Sequence, residues 1–400
     1  MYNLAHSIRL YPTASQEVFF KKACGTTRVA YNYGLQEYKR ILNEGGKPNV
    51  YAIKKQFNGI KKEVFPWMSE THRDANSQPF ANLQSAFNRF FKKFGGFPRY
   101  KKKGVRDSFY IANDQFQVDG NKFRVPKLGW VKGAEDLRFS GKITSATVKR
   151  KASYWFVVVS VETDKQFTTC ENQEVVGVDL GIKTLATLSN GKRIESVNPL
   201  RKKLKKLARL QRHAARKVKG SCNRQKANRK VAKVHYEIAC LRKDTLDKLT
   251  TYLCKSYKTV CIEDLNVSGM LKNHKLALSI SDLGFGEFRR QLEYKSKLYN
   301  NNLIVVDRWF PSSKLCSNCG QVKEELSLSE REYVCDCGKV IDRDLNAAIN
   351  LKNYGLKQLR AVSPEVKPMD KMALAYMSSI DVRETVLDEV GISMCAQMST

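Results

Sequence analysis

Three things are scarce in this sequence, and each narrows what the chain can be. Acidic residues are the first: 39 Asp and Glu stand against 71 Lys and Arg, a formal charge of +32 on 400 residues. So large an imbalance repels itself unless a polyanion neutralises it. Nucleic acid fits best, because neutralising phosphates releases condensed counterions. Long apolar runs are the second. A membrane is the alternative polyanionic surface, but no stretch of about 18 apolar residues is there to span one. The N-terminal MYNLAHSIRLYP also lacks a basic segment followed by an apolar one, so no secretion signal is expected. Paired cysteines are the third. The count, 11, is odd and most stand singly. That suits a reducing cytoplasm with free thiols and one metal cluster better than a disulfide framework. No internal repeat is found.

What is present is a globular composition, 42% hydrophobic and 28% charged, on a chain long enough for two or three domains. Residues 4–11, LAHSIRLY, read as a strand ending at Pro12. A helical pattern starts at Ser15, a Ser cap, and resumes over 51–64 and 77–94, so the region 13–95 is mostly helical. From about 97 to 164 the signal is β. FRVP, LRFSG, ITSATVKR and YWFVVVSVE are separated by turn residues, as in a small barrel. The N-terminal strand is placed to complete that barrel, which makes the helical region an insertion. Between the two lies GFPRYKKKG, where Arg99, Lys101, Lys102 and Lys103 among aromatics suit backbone contact with stacking on a base. A solvated loop is the competing reading.

Residues 174–194 read as two strands joined by a tight turn, with Asp179 closing the first. From Arg201 to Tyr236 there are fifteen Lys and Arg and no acid, while Leu200, Leu204, Leu207 and Leu210 mark one apolar helix face. Without acids to pair with, this run favours a phosphate-contacting helical pair over a solvated face. TVCIEDLN is a buried strand ending in Glu263 and Asp264. LALSISDLGFGEFRRQLEYKSKLY reads as a loop and then a helix, and NNLIVVDRWF as another strand. Cys316 and Cys319, then Cys335 and Cys337, have the spacing of a four-cysteine structural zinc site, the second pair one residue tighter than C-x-x-C. An acid follows at the start of an apolar, helix-prone run. Residues 361–400 hold three basic and six acidic residues, and a flexible acidic tail over 358–400 is expected.

Strand, hairpin, helix, strand and helix, with acids at strand ends and a helix start, is what a ribonuclease-H-like fold provides. Neighbouring strand ends open onto one edge, where carboxylates converge. Three of them suit a pair of Mg²⁺ ions about 4 Å apart, one activating water and the other stabilising the leaving 3′-oxygen. Each acid alone means little, since a lone Asp at a strand end is more often a turn or capping residue.

The motifs GVDLGIKTLATLSNG, IEDLNVSGMLKN, LALSISDLGFGEFRRQLEYK, FPSSKLCSNCG and CGKVIDRDLNAAINL, with AFNRFFKKFGGFPRYKKK and PKLGWVK, resemble the TnpB family over roughly residues 1–356. These are transposon-encoded RNA-guided DNA endonucleases, similar to the compact type V CRISPR effectors. The resemblance implies an α/β multidomain chain. Its parts would be a wedge β-barrel (1–12 and 96–168), a helical recognition insertion (13–95), a RuvC-like nuclease domain (169–308 and 341–357) and a zinc-binding insertion (309–340). It implies Asp179, Glu263 and Asp344 as the catalytic, Mg²⁺-holding triad, with Asp344 favoured over Asp342 because it holds the acid position of D-x-N-A-A. It also implies a guide RNA derived from the transposon end and a double-stranded DNA target, in a monomeric, cytoplasmic ribonucleoprotein that associates with the nucleoid when on DNA. A short motif beside the target would be read near Tyr51, Arg73 and Ser77. A transposase is the second expectation, though its acids would end in Glu rather than run Asp, Glu, Asp. A CRISPR-like effector and a guided repressor are the others, the last requiring a damaged triad.

Overall fold

A computed structural model describes residues 2–164, 167, 172–327 and 330–362. The chain divides into two compact units that part at residue 165. Of the tail expected over 358–400, residues 358–362 continue the final helix, and the rest lies outside the described residues.

The first unit opens with β1 (Tyr2–Leu10), followed by helices α1 (Ala14–Asn43), α2 (Val50–Val64) and α3 (Arg73–Phe91). Thr13, rather than Ser15, caps α1. Its hydroxyl accepts from the Gln16 N–H at 3.3 Å while the Gln16 side chain accepts from the Thr13 N–H at 3.0 Å, so two helix-end donors are satisfied at once. Pro79 lies inside α3 and has no N–H for the Ala75 carbonyl; the Thr27 hydroxyl of α1 donates there instead, at 3.1 Å. Strands β2 (Ser108–Ala112), β3 (Gln117–Asp119), β4 (Lys122–Val125), β5 (Gly129–Lys132), β6 (Lys142–Lys151) and β7 (Tyr154–Thr163) complete the unit.

β1 pairs antiparallel with β7 along its whole length, from Tyr2 opposite Thr163 to Leu10 opposite Trp155. The helices are therefore inserted between the first two strands, in sequence, of a sheet ordered β1-β7-β6-β2. Among the described residues the strands of this unit fall in two sheets. The β3-β4-β5 meander meets β1 at a corner, where the Tyr11 N–H donates to the Lys132 carbonyl at 2.8 Å. Among the described residues no ladder joins β3 to β2. LRFSG, expected as a strand, is irregular, and the Arg138 N–H goes to the buried His6 side chain at 3.3 Å rather than to a neighbouring strand.

The second unit begins with β8 (Val175–Asp179), β9 (Thr184–Leu188) and β10 (Arg193–Glu195), three antiparallel strands where the sequence reading had two. α4 (Pro199–Ala215) and α5 (Cys222–Ser256) pack together through Leu207, Val234 and Ile238. β11 (Thr259–Glu263), α6 (Val267–Met270), α7 (Ala277–Leu283), α8 (Phe285–Tyr299) and β12 (Asn302–Val306) follow. The stretch read as a loop before α8 contains α7, and Gly284 at a φ of +74° lets one helix turn directly into the next. Last come the hairpin β13 (Glu332–Val334) and β14 (Val340–Asp342), and α9 (Arg343–Val362).

The five-stranded sheet is ordered β10-β9-β8-β11-β12, with β11 parallel to both β8 and β12. Its central strands are buried on both faces, which is why VVGV and TVCI read as continuous apolar runs. Val176, Val178, Val260 and Ile262 pack with residues of α5 and α8 on one face, and Val175 and Cys261 with Leu351 of α9 on the other. No helix among the described residues is long and apolar enough to cross a membrane.

Candidate active site and metal centre

Strand alternation decides where the acids point. Stepping by two from Val175 on the α9 face gives Gly177 and then Asp179; stepping from Cys261 gives Glu263. Val178 lies beside Ile262 in the parallel pairing, so Asp179 and Glu263 are neighbours where both strands end. α9 lies very close to this face. A Cβ on Gly177 would sit 1.9 Å from the Ala348 carbonyl oxygen, and one on Gly355 would sit 2.1 Å from the Cys261 sulfur. Asp344 precedes Ala348 by one helical turn, so it shares the sheet-facing side of α9, toward the strand ends.

The charges register this convergence. Burial first, then the charges of Asp344 and Glu263, push the Asp179 carboxyl up to about 7, against a smaller opposing pull from Arg343. Burial, with neighbouring Asp264, raises Glu263 as well. Among the described residues none of the three carboxylates has a side-chain hydrogen bond or an ion pair. Two neighbouring acids at this edge are occupied. Asp264 is clasped by Arg289 and Arg308, which hold it below the usual carboxylate range. Asp342 caps α9 by accepting from the Leu345 N–H at 3.0 Å and pairs with Arg193 at 2.8 Å. Three crowded carboxylates without an ion-paired protein cation are a donor set for hard divalent ions.

The four cysteines form a second cluster. Their sulfurs all lie within 4.8 Å of one another, with Cys316 and Cys337 3.7 Å apart and Cys319 and Cys335 3.6 Å apart. A tetrahedral site with Zn–S bonds of about 2.3 Å has sulfurs about 3.8 Å apart, whereas a disulfide would bring them to about 2 Å. The arrangement fits a zinc site. Gly320 and Gly338, at φ of +78° and +84°, close the two turns, and their N–H groups donate to the Cys316 and Cys335 carbonyls. The tighter second pair thus makes a turn of the same kind with one residue fewer. The Lys339 N–H and the Asn318 amide draw the Cys337 thiol down to about 6, while burial and the neighbouring thiols push Cys335 up to about 12, so without metal the cluster favours a thiolate at Cys337 first.

α9 joins the two clusters. Asn346 donates to the Leu315 carbonyl at 2.7 Å and accepts from the Ser317 N–H at 3.0 Å, while Asn350 donates to the Ser312 and Leu315 carbonyls. The motif D-x-N-A-A therefore divides its work: Asp344 supplies the acid, Asn346 tethers the cysteine segment, and Ala347 and Ala348 allow close approach to β8. The sequence reading missed Asn346 and Asn350. Their signal is a pair of polar residues four apart in the run NAAINL, both of them buried.

In the first unit, Tyr51 is exposed at the start of α2 and Ser77 half-buried early in α3, while Arg73 is paired with Asp74 and Asp114. Arg99, Lys102 and Lys103 are exposed. Lys101 is not free in the same way. Its ammonium lies 4.2 Å over the Tyr31 ring, its main chain exchanges hydrogen bonds with Asn32, and burial lowers its pKa.

A family model described as "Probable transposase" matches residues 157–274, and one described as "Cas12f1-like, TNB domain" matches 285–351. A "Helix-turn-helix domain" model matches 1–47, a stretch that here forms β1 and α1. A "Putative RNA-guided DNA endonuclease" of Streptomyces pristinaespiralis is 39% identical over 391 residues, covering 94% of this chain and 95% of the relative. The "Putative RNA-guided DNA endonuclease InsQ" of Escherichia coli is 32% identical over 376 residues, covering 88% and 92%. Among solved structures, a Cas12f1–sgRNA–target DNA complex matches with a TM-score of 0.55 at 16% identity, over 84% of this chain and 83% of the other. That last likeness is one of fold.

Proposed function

This chain belongs to the TnpB family, and from that premise we propose that it is an RNA-guided DNA endonuclease that cuts at the acidic edge of its five-stranded sheet. The observation that carries the reading is a contrast among the acids of that edge. Asp264 and Asp342 are held by arginines, while Asp179, Glu263 and Asp344 crowd together unpaired in a chain of formal charge +32. In so basic a chain, three carboxylates crowded together without an ion-paired cation are a ready donor set for divalent metal.

In this reading the sheet is a RuvC-like, ribonuclease-H-type nuclease core. Two Mg²⁺ ions, when bound, supply an activated water and stabilise the leaving 3′-oxygen. Asp179, between Glu263 and the helix bearing Asp344, would hold the ions together with those two carboxylates. The rigid strand ends fix two of the donors, and α9 fixes the third. The four cysteines would hold structural Zn²⁺, which would fix the segment that Asn346 tethers.

Guide pairing supplies sequence choice, so the protein needs a sequence-indifferent basic surface for the heteroduplex. The acid-free stretch of α4 and α5 suits that purpose. We extend the proposal to a transposon-end guide RNA, a monomeric particle, and reading of a target-adjacent motif near Tyr51, Arg73 and Ser77. Arg99, Lys102 and Lys103 would then contact backbone.

The test is cutting of a matched plasmid by the purified ribonucleoprotein in Mg²⁺. Wild type should cut. Asp179→Ala and Asp344→Ala should lose at least about a hundredfold in rate while holding guide RNA as tightly. Undiminished cutting by either variant would overturn the assignment. Strand joining without RNA would favour the transposase instead.

A further inference from the structure

Trp309 is 84% exposed, and among the described residues no large apolar side chain is more so. A lone aromatic on a surface needs no explanation. This one is mounted. On one side Arg308 donates to Asp264 through Nε at 3.0 Å; on the other the Phe310 ring packs on Tyr354, centroids 5.0 Å apart, in the core beneath α9. The Trp309 N–H donates to the Asp307 carboxylate at 2.8 Å, and the Phe310 N–H to the Asp307 carbonyl at 3.0 Å. Both neighbours are anchored and the turn between them is fixed, so the indole is held out toward solvent.

Its place is the rim of the acidic edge. β12 ends at Val306, level with Glu263 on β11, and the Asp264 N–H donates to the Val306 carbonyl at 2.9 Å. Three residues of chain beyond Val306 keep Trp309 within about 15 Å of Glu263. The clamp on Asp264 ties the turn to the residue next to Glu263. A flat, rigidly presented aromatic in that position offers a π-face to any base, and stacking of this sort is indifferent to sequence. Indifference is what a nuclease guided by base pairing needs at its cutting centre.

We propose that Trp309 is a stacking platform for a base of the single DNA strand to be cut, fixing where the neighbouring phosphate lies relative to Asp179, Glu263 and Asp344. The inference rests on the nuclease reading, and it adds a strand-positioning subsite to it. Arg308 is then a positioning residue for the indole, and Asp264 its anchor.

The test has two parts. In target cutting, Trp309→Ala should lower kcat/KM about ten- to a hundredfold, mainly through KM, while Trp309→Phe stays within about threefold. Thermal melting and guide binding should be unchanged in both. In the cleavage-dead Asp179→Ala particle, single-stranded target should quench tryptophan fluorescence, and Trp309→Phe in that background should remove the quench. Equal cutting by Trp309→Ala and wild type, equal loss in both variants, or a quench that survives Trp309→Phe would each overturn the proposal. Quenching through Trp309 in a particle whose wild type never cuts DNA would sink the nuclease reading and leave the stacking site standing.

Discussion

At neutral pH the Asp179 carboxyl sits near its midpoint, pushed up to about 7 by burial and then by Asp344 and Glu263. The unfolded chain releases that proton near 3.8, so between about pH 4 and 7 the folded state binds more protons than the unfolded one. Stability of the metal-free protein therefore falls as pH rises through that window. Asp179→Asn removes the repulsion. It should stabilise the metal-free chain at pH 7.5 by on the order of 2 kcal/mol, flatten the pH dependence of melting, and end cutting. A variant that melts lower at pH 7.5, with the slope retained, would contradict this. Asp342 and Asp344 should separate just as cleanly. Asparagine caps a helix as well as aspartate, so Asp342→Asn forfeits only the half-exposed pair with Arg193, worth about 1 kcal/mol or less. Its cutting should stay within about threefold of wild type, whereas Asp344→Asn should be inactive.

At the scale of elements, α9 is the piece that makes the site. It covers β8 through Gly177 and β11 through Gly355, and it tethers the cysteine segment through Asn346 and Asn350. Ala in place of Gly usually stabilises a strand. At position 177 the added methyl would overlap the Ala348 carbonyl, so Gly177→Ala should cost about 3 kcal/mol in urea unfolding and displace Asp344 enough to stop cutting. Wild-type stability and activity would refute the close-approach account. Asn346→Ala, which leaves buried partners unsatisfied, should cost about 1–3 kcal/mol and lower zinc retention. Much of this was legible beforehand. VVGVD and TVCIE announce strands ending in acids, because a doubly covered strand is an unbroken apolar run, and the cysteine spacing announces a tetrahedron. Other features were not. RIE is too short to show a period, LSISDL is broken by the Gly that joins α7 to α8, and LRFSG looks like a strand until a buried histidine takes its N–H. Lys101 reads as surface charge, since nothing local says that Tyr31 lies under it.

Over the whole molecule the excess positive charge is concentrated where acids are absent. In the acid-free stretch of α4 and α5 Lys203 pairs with Glu237 at 2.6 Å, just past its end, and Lys205, Lys206 and Arg209 are exposed. Replacing those three by glutamine should weaken guide RNA binding at every sequence. It should also lower the slope of log affinity against log salt by about 0.7–0.9 for each phosphate that is no longer neutralised. Filter binding across a salt series measures both, and an unchanged slope would remove this helical pair from the RNA-binding surface. The central claim can be seen directly. Crystals soaked in Mn²⁺ should show two anomalous peaks about 4 Å apart, bridged by Asp179 and flanked by Glu263 and Asp344, both absent from Asp179→Ala. Peaks elsewhere, or none at that edge in the wild-type protein, would contradict it.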